Sequence, residues 1–337
     1  PLGEKWLWGL PPILSGMNAV ERLQRLFLQS LEQGFGEPEW NRQPDSLYAP
    51  QRYILSMGGK RLRPVLSLMA AEALGAPAEQ ALPAAHAVER FHNFSLIHDD
   101  IMDEAPVRRG KPTVHMQWGL NTAILSGDAL LVMAYESLRA LPAETLPQAL
   151  KVFNRTALEV CEGQQWDMEF ETQDQVHEGQ YLQMIRYKTS VLLGCALELG
   201  AAAASASSEV ASALYAFGLE LGTSFQIHDD ILDAFGDPDQ VGKQVGGDIR
   251  SNKKTLLYLH LHAHRPELLD TWAADRSDAK VDAMKAAMMD AGSLAYVEDK
   301  RRFHFDLAME ALGRAEALGC QTADLQSLAQ WIFGRTA

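Results

Sequence analysis

One acidic pentapeptide occurs twice, as Asp99-Asp100-Ile101-Met102-Asp103 and as Asp229-Asp230-Ile231-Leu232-Asp233. Each copy follows an apolar stretch ending in Ile-His, Phe94-Ser95-Leu96-Ile97-His98 in one case and Phe225-Gln226-Ile227-His228 in the other. On a helix, positions i and i+4 share a face, so the first and last aspartates of each copy point the same way and the middle one flanks them. The apolar context implies burial, and clustered buried carboxylates repel, take up protons, or need partners. A chain with two such claws must fold so that cations answer them. Oxygen-only ligand sets suit Mg2+ or Mn2+, and two facing claws would hold several ions and one highly charged anion. A helix cap or a solvated acidic face accounts for one short Asp run, but poorly for two near-identical copies in apolar sequence.

The rest of the chain reads as helix. Apolar residues recur at spacings of three and four through 18–34, 64–75, 82–103, 121–140, 146–171, 178–203 and 207–235, and β-branched alternation is nearly absent. Turn chemistry concentrates at Gly58-Gly59, Gly75-Ala76-Pro77, Arg109-Gly110-Lys111-Pro112, Leu141-Pro142 and Gly236-Asp237-Pro238. The pattern predicts a helical bundle. The Ala-rich stretch from Leu199 to Ala204 would allow close helix approach. No linker marks a boundary, so 17–337 is read as one all-α domain. Pro1 to Gly16 lacks a basic start and is broken by Pro11-Pro12, so it reads as a non-native or disordered segment, with Met17 as the native start. The polar stretch 236–253 is expected to be a mobile loop or lid.

Hydrophobic residues make up 47% of the 337 and charged residues 22%, which excludes a disordered chain. The net charge of −14 argues against nucleic acid as a partner, so an anionic substrate must be drawn by metal or by a local basic patch. Cys161, Cys195 and Cys320 are widely spaced without a CxxC pair, which leaves them as reduced core residues. No apolar run reaches the roughly 18 residues of a spanning helix, so no integral membrane segment is expected and the chain is read as cytoplasmic.

Two basic elements answer the carboxylates. Gly58-Gly59-Lys60-Arg61-Leu62-Arg63-Pro64 places two flexible glycines before three cations, and Pro64 suits the first turn of a helix. Backbone NH groups and Arg forks at such a helix start make a diphosphate site. Arg108-Arg109-Gly110-Lys111 follows the first claw by a few residues. Taken alone, either element reads as an ordinary solvated cap or turn.

These motifs, in order with Lys188-Thr189 and with Phe225-Gln226 ahead of the second claw, make the chain resemble the trans-isoprenyl diphosphate synthases. The resemblance spans residues 58–255 and implies the all-α isoprenoid-synthase helical bundle around a central deep active-site cavity. It implies three Mg2+ ions, with Mn2+ as the alternative, that clamp an allylic diphosphate (dimethylallyl, geranyl or farnesyl). Asp99, Asp103 and Asp229 would hold them, with Asp100, Asp230 and Asp233 as ligands or support. Metal charge would make the diphosphate a better leaving group, and the double bond of isopentenyl diphosphate would attack the resulting allylic cation. Lys60, Arg63, His92 and Arg109 match the positions that hold isopentenyl diphosphate. Arg108, Lys188, Lys243 and Lys253 match contacts to the allylic diphosphate. Thr189 and Gln226 match positions whose side-chain oxygens face the developing cation, and Gln164 is expected in the same cavity. The family also implies a homodimer.

The growing product would run beneath the first claw, so side chains one and two turns earlier, about 5.4 Å per turn, would set its length. Phe94 and Phe91 half-block that floor, whereas Ser95 is small. A short product, geranylgeranyl or farnesyl diphosphate, is expected, with the form of the first claw leaning to geranylgeranyl. The bland reading makes both Phe residues simple core. A class I terpene cyclase shares the fold but usually lacks a second DDxxD and needs no isopentenyl site. A noncatalytic or partner-dependent subunit of a heteromeric prenyltransferase tends to lose aspartates, and none is missing here. His-Asp pairs also occur in metal phosphohydrolases, a reading that leaves the basic motifs unexplained.

Overall fold

The computed structural model describes residues 15–237 and 245–334. Helices follow one another as α1 Ser15–Phe35, α2 Asp45–Ser56, α3 Leu62–Ala73, α4 Leu82–Met102, α5 Val114–Trp118, α6 Leu120–Leu138, α7 Leu146–Thr172, α8 Glu178–Ile185, α9 Val191–Ala203 and α10 Ser208–Phe235. After the undescribed 238–244 come α11 Gly247–Ser251, α12 Leu256–His264, α13 Pro266–Trp272, α14 Asp278–Asp290, α15 Ser293–Ala317 and α16 Ala323–Phe333. Strand among the described residues is confined to an antiparallel pair, β1 Val107–Arg108 and β2 Lys111–Pro112. The all-α expectation holds. Three departures are local. The helix expected over 178–203 is interrupted by a π-turn, Arg186–Ser190. The turn at 109–110 closes a tiny hairpin. Part of the loop expected at 236–253 is α11, entered from Gly246 at φ 84° and left through Asn252 at φ 57°. Lys243 and the segment 1–14 lie outside the described residues.

Backbone contacts group the chain into two compact units, each assembled from separate stretches. The first holds the chain up to Val152 with Ala196–Ser212 and Leu318–Leu328. There α4 packs along α6 and α3, over a core that includes Trp40, Ile54, Leu55, Met57 and Ile97. Full burial of such side chains contributes about 1.5–3 kcal/mol each. Close approach in the Ala-rich stretch occurs at Gly200, where a Cβ would lie 2.2 Å from the Ser67 carbonyl oxygen. Buried Arg90 ties α4 outward: Nη1 donates to the Met133 carbonyl and to Ser137 Oγ, both at 2.9 Å, and Nη2 to Glu39 at 2.8 Å.

The second unit holds Phe153–Cys195, Ala213–Ala317 and the residues from Ala329 onward. Its core joins Phe170, Tyr181, Met184, Ile227, Leu257 and Val297. Cys195 and Cys320 are buried as expected, but Cys161 is exposed, which corrects that expectation. The reason is helical phase: Val160, Gly163 and Gln164 take the inward face of α7 and leave 161 outward beside exposed Leu158. Among the described residues no helix is long and apolar enough to cross a membrane.

Candidate active site

In the first unit the first aspartate motif occupies the last turn of α4, with Asp103 as the exposed C-cap residue and Asp99 half-buried one turn before it. Asp100 is buried and forks onto Arg108, whose Nε donates to both carboxylate oxygens at 2.9 Å. Arg108 is held there by the hairpin. Its two central residues, Arg109 at φ 52° and Gly110 at φ 73°, both take the left-handed conformation that two-residue hairpin turns of this hand require. For Arg109 that conformation costs about 1–2 kcal/mol.

The return of the hairpin lays the Arg109 guanidinium over Gly59, where a Cβ would lie 3.1 Å from Cζ. A side chain at 59 would press on that guanidinium and displace its tip. Of the three cations after Gly59, Arg61 is structural. It enters α3 at φ 48°, forms an ion pair with buried Glu89, and donates to the Met57 carbonyl at 2.7 Å. Lys60 is exposed, and Arg63 is half-buried with Nη1 3.3 Å from His92 Nε2. Since a guanidinium only donates, His92 accepts there and carries its proton on Nδ1. Burial first, and then the charges of Arg63, Arg109, Arg108 and Arg61, push the His92 pKa well below its ordinary value. Burial and the neighbouring Arg61 and Arg108 charges likewise push Arg109 down. Arg61 and Arg108 are paired with Glu89 and Asp100, and Arg63 and Arg109 are the further cations beside His92.

Phe91 is fully buried, and its ring centroid lies 5.5 Å from that of half-buried Phe94. Phe94 in turn meets His98 edge-on at 4.8 Å. The Ser95 hydroxyl donates to the His92 carbonyl, 2.9 Å away.

In the second unit the other motif ends α10. Asp229 is half-buried; Asp230 and Asp233 are buried. Asp230 accepts from the Tyr181 hydroxyl and, at 3.1 Å, from Gln226 Nε2. Gln226 Oε1 accepts the Thr189 hydroxyl at 2.9 Å, so Thr189, Gln226 and Asp230 form one chain. Asp233 Oδ2 accepts the backbone NH of Asp248 at 2.9 Å and so fixes the start of α11. Lys188 Nζ donates to Asp167 Oδ2 at 2.5 Å, and Lys253 Nζ lies 3.5 Å from Oδ1 of the same carboxylate. Burial works against the Lys253 ammonium, yet Asp167, Asp248 and Asp230 hold its pKa above the ordinary lysine value. Lys254 caps α7 by donating to the carbonyls of Phe170 at 2.6 Å and Glu171 at 3.1 Å. Gln164 is buried on α7.

The sequence reading did not single out Asp167, Tyr181 or Asp248. A signal existed for Asp167, which lies one turn beyond Gln164 on the inward phase of α7. Tyr181 and Asp248 carry none, because only the fold brings them to Asp230 and Asp233.

The middle aspartates serve protein partners and Asp233 accepts a backbone NH; Asp99, Asp103 and Asp229 are the carboxylates that would hold a cation. Among the described residues no three acidic, histidine or cysteine side chains converge into a closed metal cage. Such a set fits Mg2+, which binds through one or two carboxylates and takes the rest of its shell from water and substrate phosphates.

Acidic and basic clusters on an all-α frame equip a protein to handle diphosphates. The polyprenyl synthetase family model matches residues 44–290. The geranylgeranyl pyrophosphate synthase of Geoglobus acetivorans is 40% identical over 273 residues, 80% of this chain and 85% of that protein. The geranylfarnesyl diphosphate synthase of Aeropyrum pernix is 38% identical over 294 residues, 85% of this chain and 92% of that protein. A crystal structure of a geranylgeranyl pyrophosphate synthase superposes with a TM-score of 0.87 at 44% identity, covering 94% of this chain and 99% of the other. The chain belongs to the polyprenyl synthetase family and is a prenyltransferase of the trans-isoprenyl diphosphate synthase class.

Proposed function

We propose that the protein condenses isopentenyl diphosphate head to tail with an allylic diphosphate in a Mg2+-dependent reaction, giving geranylgeranyl diphosphate as the main product. The observation that carries this is the gathering of Arg63, Arg109 and Arg108 around neutral His92, in the same unit as the first claw. Lys60, Arg63, His92 and Arg109 bind the isopentenyl diphosphate. Arg108, Lys188, Lys253 and Lys243, the last outside the described residues, bind the allylic diphosphate. Asp167 holds Lys188 and Lys253 in place before substrate arrives, and the lysines then exchange that carboxylate for phosphate. The Thr189 oxygen faces the reacting carbon, with Gln226 orienting its hydroxyl.

Asp99, Asp103 and Asp229 hold three Mg2+ ions, with Asp100, Asp230 and Asp233 supporting them. When bound, the ions neutralise the diphosphate and make it a better leaving group. Phe94, backed by Phe91 and beside the smaller Ser95, closes the product path. The relatives named above make geranylgeranyl and geranylfarnesyl products by name, which brackets the expected length. The enzyme works in the cytoplasm as a homodimer, and residues 17–337 act as one catalytic domain, since neither compact unit is a continuous stretch of chain.

The test is incubation with Mg2+, labelled isopentenyl diphosphate and, separately, dimethylallyl, geranyl and farnesyl diphosphate, followed by sizing of the dephosphorylated alcohols. Geranylgeraniol from all three starters is the expected result. Absence of elongation from every starter would transfer the weight to a partner-dependent subunit.

A further inference from the structure

We propose that Glu220 is a positioning residue, which fixes the π-turn Arg186–Ser190 and thereby aims Lys188 and Thr189. The proposal rests on the reading that Lys188 binds the allylic diphosphate.

A π-turn has poorer hydrogen-bond geometry than an α-helix and persists only where its surroundings over-determine it. Two glycines admit this one. A Cβ at Gly163 of α7 would lie 2.3 Å from the Lys188 backbone nitrogen, and one at Gly222 of α10 would lie 2.8 Å from Ser190 Cα. On each helix the residue four places on receives a side chain from the turn: Asp167 takes Lys188 and Gln226 takes Thr189. Tyr187 stacks on Trp166 with centroids 5.4 Å apart, and the Ser190 hydroxyl accepts from Thr223 at 3.0 Å. Consecutive residues 188 and 189 therefore reach two different helices, which places their functional groups apart.

The entry to the turn is held by charge. Arg186 Nη2 donates to Glu220 Oε1 at 2.9 Å, and His304 Nδ1 of α15 lies 2.7 Å from Glu220 Oε2. The Glu220 side chain is 14% exposed and that of His304 11%. Glu220 lies two residues before Gly222, so the same stretch of α10 provides both the anchor and the space. Burial raises the pKa of this carboxyl, but His304 and Arg186 outweigh it and hold the group ionised. None of these three residues belongs to the proposed substrate contacts.

The test is steady-state kinetics of Glu220→Gln, alone and in a Lys188→Ala/Thr189→Ala background. A misplaced turn should lower kcat on the order of ten- to a hundredfold and raise KM for the allylic diphosphate, with KM for isopentenyl diphosphate unchanged and the far-UV spectrum retained. His304→Gln should move the same quantities in the same direction. In the Lys188→Ala/Thr189→Ala background, where neither side chain is left to aim, Glu220→Gln should cost little more. Additive losses, or an activity loss that only follows the folded fraction, would overturn the proposal while leaving wild-type condensation intact. A wild-type protein that elongates no starter would overturn the functional reading and this proposal with it.

Discussion

Asp100 and Arg108 form a forked ion pair, with Nη2 2.8 Å from Oδ1 in addition to the two Nε bonds. The pair fastens the hairpin to the end of α4 and gives the second aspartate of the first motif a protein partner. Asp230, the second aspartate of the other motif, is likewise engaged by Tyr181 and Gln226. The two motifs match in burying and bonding the second aspartate but differ at the last, since Asp103 is exposed whereas Asp233 is buried and accepts the Asp248 NH.

Asp100→Asn should destabilise the fold by about 1–3 kcal/mol, the cost of weakening a buried charge-assisted bond whose cation can still reach water. It should also raise KM for the allylic diphosphate. Urea unfolding and steady-state kinetics check both; a variant with wild-type values would show that the pair is incidental.

Asp99→Ala and Asp229→Ala should each abolish turnover with the helical spectrum kept, since both lie half-buried at helix ends and not in the core. Near-normal turnover in either variant would remove it from the metal-binding set.

Chelation should stop the reaction without lowering the melting temperature, because no closed cage among the described residues depends on an ion. Mg2+ with inorganic diphosphate should then stabilise the protein by about 2.7 kcal/mol at a hundredfold excess over Kd. A melting temperature that falls on chelation alone would indicate a structural metal.

Gly59→Ala places a methyl group 3.1 Å from the Arg109 guanidinium. The arginine tip can move, so the fold should survive, but KM for isopentenyl diphosphate should rise severalfold with KM for the allylic substrate unchanged. Equal effects on both substrates would argue against Arg109 as a selective contact.

Burial, with the Arg90 charge adding to it, holds the His86 imidazole down at about 4. Its ring packs on Phe27 with centroids 5.0 Å apart, and Nε2 meets the Ser30 hydroxyl at 2.8 Å. The unfolded value is near 6.5. Between those values the unfolded chain binds the extra proton, so this contribution is complete above about pH 6.5 and is lost as pH falls toward 4, by at most about 3 kcal/mol. Denaturant midpoints at pH 7 and pH 4.5 should differ less for His86→Gln than for the wild type; equal differences would show that His86 titrates normally when folded.

Helix positions were legible because apolar spacing is a local property. The starts of α4 and α7 and the ends of α10 fall where the pattern places them. The π-turn was not legible, since Arg186 to Ser190 continue the same periodicity and the extra residue is accommodated by Gly163 and Gly222 on other helices. Cys161 was misread because three scattered cysteines carry no phase, whereas burial on a helix depends on a neighbour to face.

The sequence alone determined that this chain is helical and that it carries two acidic claws and two basic motifs, because residue type and spacing encode those features directly. It also pointed to prenyl diphosphate chemistry through the order of those motifs. Which charge meets which was decided only by tertiary structure. Arg61 is taken by Glu89, Arg108 by Asp100, and Lys188 by Asp167, pairings between residues far apart or on separate elements. Coulomb attraction and desolvation act over a few ångströms, and only the packed backbone brings those groups within that range.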